Sequence, residues 1–197
     1  YVAGSLSGSQ SGNGGCLYVG RGGILNLASG QIVDSHSTSA SKLGGGGVYI
    51  QGSNATQKAV FNMYGGEISG CSAAKNGGAV YVSNGVESPV SEFNMSGGRI
   101  HNNTASKAGA VYCVSAKMTL SGDAVIENHT ISGDMGAIGI YDSVLEMSGG
   151  TIRSNTAANG AGVLVQSGGS MTMTGGEISG NTAKNSGGGV YVSTNSS

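Results

Sequence analysis

Glu67, Arg99, His101, Glu127 and Arg153 are the residues of this chain whose types and spacing could do acid–base chemistry. A carboxylate beside an imidazole or a guanidinium can pass a proton, and two carboxylates facing one another can cleave a glycosidic bond. In the series His101, Glu127, Arg153 one carboxylate falls between two basic residues, and Glu67 stands before Arg99 at the equivalent place. That order makes a ladder of opposite charges, not a carboxylate pair. Asp34, Ser35 and His36 are the residue types of a hydrolytic triad, but as sequence neighbours they do not argue for one. Cys16, Cys71 and Cys113 have no CxxC or Cys/His spacing, so they read as small buried hydrophobes rather than as metal ligands. No catalytic residue, metal or cofactor is assigned.

Binding chemistry has better candidates. Tyr18, Tyr49, Tyr81 and Tyr112 recur as the middle residue of an apolar–Tyr–apolar segment. If they point outward they make an exposed aromatic stripe, fit to dock a glycan or a protein partner. The plainer alternative is that the rings stack on one another and stabilise a sheet. Lys58 and Glu87 lie in two insertions, 51–60 and 83–92, that follow consecutive tyrosine segments and are expected to protrude side by side.

What must position these residues is a repeat. Leu6, Ile32, Ile68, Ile100, Ile126, Ile152 and Ile178 each follow a turn-rich stretch, and the uninterrupted steps between them are 26 residues long. Before the anchor comes a segment of apolar–polar–apolar alternation, as in Phe61-Asn62-Met63 and Met171-Thr172-Met173. After it comes the tyrosine type, as in Val48-Tyr49-Ile50 and Val80-Tyr81-Val82. Alternation over so few residues is the mark of a half-buried strand. Helices are excluded because glycine interrupts every window long enough to hold one. Each segment matches only its counterpart one repeat away, so like is expected to stack on like in parallel, and such crossovers are right-handed. The reading is all-β: one right-handed parallel β-helix over residues 1–197, with about seven coils and three faces.

The corners carry their own signals. Gly-Gly at 65–66, 97–98, 149–150 and 175–176 marks one, where a β-carbon would crowd the turn. Asn103, Asn155 and Asn181 mark another; Asn tolerates left-handed backbone, and its amide can bond to the same amide one coil away. These three are expected to form a structural ladder, with Ser9, Ser35, Cys71 and His129 at the equivalent place in the other coils.

Composition narrows the partners. Only 10% of residues are charged, the net charge is −1, and the nine Lys and Arg are scattered, so there is no basic footprint for nucleic acid. No apolar run approaches the ~20 residues of a membrane span. The 39 glycines could suit a flexible linker, but a linker has no reason to keep an apolar register. Both chain ends fall inside the repeat, which suggests a piece of a longer protein, or a unit whose uncapped ends associate end to end.

The recurring G-G-x-I-x-x-N-T-A, followed by G-G-G/A-V-Y-V, resembles the β-helical repeats of large bacterial surface proteins, among them the chlamydial polymorphic membrane protein type. Adhesin-like repeat proteins of anaerobic gut bacteria and the pectin-lyase-like superfamily are looser relatives. Phe occurs only at Phe61 and Phe93, in a different strand from the Phe of the chlamydial motif. The resemblance implies a secreted or bacterial cell-surface chain that acts as the passenger or stalk of an adhesin: a non-catalytic module for attachment or display, with glycan or host surface protein as partner. The competing expectations are a polysaccharide lyase or hydrolase of the pectin-lyase-like fold, and an ice-binding or filament-forming protein.

Overall fold

The computed structural model describes residues 4–11, 14–38, 44–52, 57–84 and 91–193. Every strand pairing among them is parallel, and each joins a strand to its counterpart one coil away. The anchors stand in register from Leu6 to Ile32, Ile68, Ile100, Ile126, Ile152 and Ile178, so seven coils are stacked at the strand spacing of ~4.8 Å. The chain is therefore a parallel β-helix, as the repeat predicts.

Among the described residues the coils are built from four kinds of rung. The first is the Phe/Met rung, as in Val60–Met63 and Glu92–Met95. The anchor rung follows, as in Glu67–Ser69 and Arg99–His101. In the later coils these two run together as single strands, Val144–Arg153 and Ser170–Ser179, so one sheet bends at the Gly-Gly corner. The third rung is short: Gln10–Ser11, His36–Ser37, Ser72–Ala73 and Thr104–Ala105 in the early coils. The fourth is the tyrosine rung, from Leu17–Val19 through Val80–Asn84 to Val190–Val192. The sequence predicts three faces; the short rung is the addition. Its inward side chain is small in most coils, as at Ser37, Ala73 and Ala157, with Ile131 the exception, and so it lacks the apolar weight that makes the others visible.

The inside is a column of apolar side chains. Ile50, Phe61, Met63, Ile68, Val82, Phe93, Met95 and Ile100 are fully buried in it, and the Phe61 and Phe93 rings stack with centroids 5.0 Å apart. Cys113 takes the place of an inward Val or Ile, and burial pushes its thiol up to about 12. Cys71 is also buried, and all three cysteines are free. An inert, hydrophobe-like role accounts for Cys71 and Cys113.

Two corners need special backbone. The second glycine of each Gly-Gly pair has a positive φ, 80° at Gly66 and 82° at Gly98, which a β-carbon would strain. The corner after the anchor is also left-handed, at Asp34, Gly70, Asn102, Asn128, Ser154 and Gly180. That is one residue earlier than expected: Asn103, Asn155 and Asn181 follow the left-handed position rather than occupy it. Asn and Asp are the non-glycine residues that best tolerate this region.

Phe93→Ala should cost about 3–5 kcal/mol of stability, because the coils above and below cannot close over a lost ring in so thin a core. Urea denaturation of the purified chain measures it, and a shift below about 1 kcal/mol, the scale of a volume-conserving swap, would show that the column is not tightly packed.

Candidate functional site

The tyrosine rungs do not form an exposed stripe. Tyr49, Tyr81 and Tyr112 are each only 2% exposed, which corrects the expectation that these middle residues lie open to solvent. Their rings stack, at 5.2 Å between Tyr49 and Tyr81 and 5.8 Å between Tyr81 and Tyr112. Ala108, Met135 and Leu164 join them in a second hydrophobic cluster outside the main core. Lys107 stands 4.8 Å over the Tyr112 ring and donates to its hydroxyl at 3.3 Å. Burial raises the Tyr49 phenol and pushes that of Tyr112 up to about 12, so both stay neutral. Tyr18 alone of the four is open, 54% exposed, and it donates to Gln51. Lys107, Ala108 and Met135 lie in the turns that precede the strands, Ala108 and Met135 at a place where other coils have glycine, as at Gly77 and Gly160. The only sequence signal was the mix of Ala and Met among corner glycines.

The charged ladder forms, with different partners for Arg99 and His101. Arg99 and His101 were matched by register to Glu67 and Glu127, respectively. The expected pair of Glu127 with Arg153 forms, Arg153 Nε donating to one carboxylate oxygen at 2.6 Å, but Arg99 reaches diagonally to Glu127 and His101 lies 3.1 Å from Glu67. Long side chains on adjacent rungs can make such diagonal pairs. The Glu127 side chain is 4% exposed, so burial alone would raise its pKa; the two guanidiniums outweigh burial and hold it below the usual carboxylate range. Ser69 donates to Glu67 at 2.6 Å and lowers that carboxyl too.

At the corner after the anchors, side chains bond from coil to coil. Asn155 Nδ2 donates to Asn181 Oδ1 at 2.8 Å, and the same oxygen accepts the Asn155 backbone N–H. Asn155 Oδ1 in turn accepts the His129 backbone N–H at 3.0 Å, and Asn103 Oδ1 accepts that of Cys71 at 2.9 Å. His129 fills the Asn place between Asn103 and Asn155, with its ring within hydrogen-bond reach of both. It is fully buried, and burial drives its pKa down to about 4. Asp34, Ser35 and His36 do not converge: Ser35 bonds to the Val33 carbonyl, and His36 pairs with Ser72 of the next coil.

The outer side of the Phe/Met rungs is polar. Asn62 donates to Asn26 at 2.9 Å, Asn94 to Asn62 at 3.0 Å, and Thr119 to Asn94 at 2.8 Å. Two residues beyond Asn62, Tyr64 is 54% exposed. Beyond it, at the Gly-Gly corner, a groove of about 410 Å³ is lined by Gly30, Gln31, Gly66, Glu67 and Arg99. Of the insertion residues, Lys58 pairs with Glu92 of the next coil at 2.8 Å, and Glu87 lies outside the described residues. Ser83 and Asn84 stand in register with Gln51 and Gly52, so the two insertions leave the tyrosine rungs side by side. No group of His, Cys, Asp or Glu able to hold a metal ion occurs among the described residues.

The family model described as "Right handed beta helix region" matches residues 22–197. No curated protein and no solved structure matches the chain.

His129 makes the fold sensitive to mild acid. The unfolded chain takes up its proton near pH 6.5 and the folded chain only near pH 4, so between these values the unfolded state binds more protons. Stability is full above the upper value and falls as pH drops through that window. His129→Asn, which restores the residue of the neighbouring coils, should flatten the fall of the melting temperature between these two pH values. An unchanged profile would show that the ring is not held neutral. The loss governed by Glu67 and Glu127 belongs to lower pH, below their ordinary value of 4.5.

Proposed function

Because the chain belongs to the right-handed β-helix family, whose fold serves chemistry and display alike, we propose that it is a non-catalytic attachment or display module of a secreted or cell-surface protein. One observation carries this reading: two carboxylates of the anchor face, Glu67 and Glu127, are engaged between coils. Glu127 is clasped by Arg99 and Arg153, and Glu67 accepts from Ser69 beside His101. A general acid needs a carboxyl whose pKa is raised so that it keeps its proton near neutrality, and these two are shifted the other way. Their strength is spent on holding one rung to the next.

The partner in this reading is a surface glycan. A solenoid repeats one polar position at one spacing, which matches a polymer better than a compact ligand. Burial of Tyr49, Tyr81 and Tyr112 removes the aromatic stripe from the argument, so attachment rests on the faces that carry open polar groups.

Incubation of the chain with acidic and neutral polysaccharides should retain polymer without releasing new reducing ends or unsaturated products. Turnover that is lost in Glu127→Gln, with the melting temperature of that variant recorded alongside, would overturn the non-catalytic reading. Glu127→Gln should lower stability by roughly 1–3 kcal/mol, since it leaves two guanidiniums without their counter-charge.

A further inference from the structure

We infer that the attachment surface is the outer side of the Phe/Met rungs in the second to fourth coils, around Tyr64, and that its ligand is an uncharged, hydroxyl-rich polysaccharide lying along the axis of the coil stack. This rests on the attachment reading above and adds its site and ligand class.

Three features meet there. Tyr64 is 54% exposed, and neither its ring nor its hydroxyl has a partner among the described residues. It differs in this from Tyr18, whose hydroxyl bonds to Gln51 and whose ring packs on Tyr49. The equivalent residues in the coils before and after Tyr64 are Ala28 and Ser96, both small and exposed. The ring thus stands between two low positions, with room for a flat sugar face against it.

On one side of Tyr64 runs the amide rail. In the Asn26–Asn62–Asn94–Thr119 series each contact uses one N–H or hydroxyl and one oxygen. An amide carries two N–H donors and an oxygen with two lone pairs, so Asn62 and Asn94 each keep capacity on their half-exposed outer side. Sugar hydroxyls both donate and accept, and are met by groups that do likewise. The rail advances one residue per coil, about 4.8 Å, close to the length of one pyranose unit in an extended chain. On the other side lies the groove of about 410 Å³ with Gln31, Glu67 and Arg99 on its wall.

Charge selects the class of polymer. Lys58 is paired with Glu92 and Arg99 with Glu127, so these two cations beside the surface are matched, and Arg21 is left as a single exposed cation at its edge. A polyuronate would have to compete with these carboxylates, and there is no excess positive field to draw it in. A neutral chain meets no such cost.

Affinity gel electrophoresis of the intact chain tests this, with a neutral β-glucan, a mannan, a xylan and polygalacturonate cast in separate gels. At least one neutral polymer should retard the chain and polygalacturonate should not. Tyr64→Ala should weaken that retardation roughly tenfold, Tyr64→Phe should keep it, and Tyr18→Ala should leave it unchanged. The Tyr64 variants should melt where the parent does, since that side chain is exposed, while Tyr18→Ala loses the Gln51 bond and the Tyr49 contact and should melt lower. Retardation by a neutral polymer that survives Tyr64→Ala would overturn this site and leave the attachment reading standing. Retardation by polygalacturonate alone would overturn the ligand class. A chain that no polymer retards would refute the glycan reading as a whole.

Discussion

The structure depends on one constraint: each rung must lie directly over the same rung of the next coil, so that the backbone bonds close from coil to coil. Ile32, Ile68, Ile100 and Ile126 are held in line by it, and so is every side chain that shares their register. A slip of one residue would turn the inward Phe, Met, Ile and Val side chains out and the polar ones in. Because the core is only one coil wide, no neighbouring layer could absorb the error.

Once the rungs are in line, like side chains meet like, and the chemistry of each column follows. Amides pair with amides at Asn26, Asn62 and Asn94, and phenyl rings stack at Phe61 and Phe93. At the corner after the anchors the ladder serves a further purpose. The tight left-handed turn exposes backbone N–H groups inside the solenoid, and the Asn103, Asn155 and Asn181 oxygens accept them. Each such amide also donates back to a carbonyl of the neighbouring coil, as Asn103 does to Ile68 and Asn181 to Ile152. His129 fits the column because a neutral imidazole can accept and donate much as an amide does, and burial keeps it neutral. The charged column behaves differently: Glu127 is almost wholly enclosed, so it keeps its register partner Arg153 and draws in Arg99 diagonally as well.

The proposed function draws on what these columns leave unused. On the anchor face Glu67 and Glu127, and in the tyrosine rungs Tyr49, Tyr81 and Tyr112, are taken up in holding the coils together. On the Phe/Met face the amides are only half committed, and Tyr64 is uncommitted among the described residues. A surface of that kind offers hydrogen bonds and a flat ring at a fixed repeat, without strong charge. It suits adhesion to a polymer, where many modest contacts in register add up.

By itself the sequence determined the coil: its period, its inward residues, its glycine corners and the Asn column. All of these are set by position within a repeat, and a repeat writes the same position several times over. Only the tertiary structure decided what covers the outward residues and which of two neighbours a long side chain chooses. Tyr81 and Tyr64 are both tyrosines beside apolar residues, yet one is closed in and the other open. The difference comes from the neighbouring rungs: Tyr81 stacks between Tyr49 and Tyr112, whereas the places equivalent to Tyr64 one coil away hold only Ala28 and Ser96. Arg99 likewise has a glutamate within reach on either side, and its choice of Glu127 reflects the burial of that carboxylate, which no spacing along the chain records.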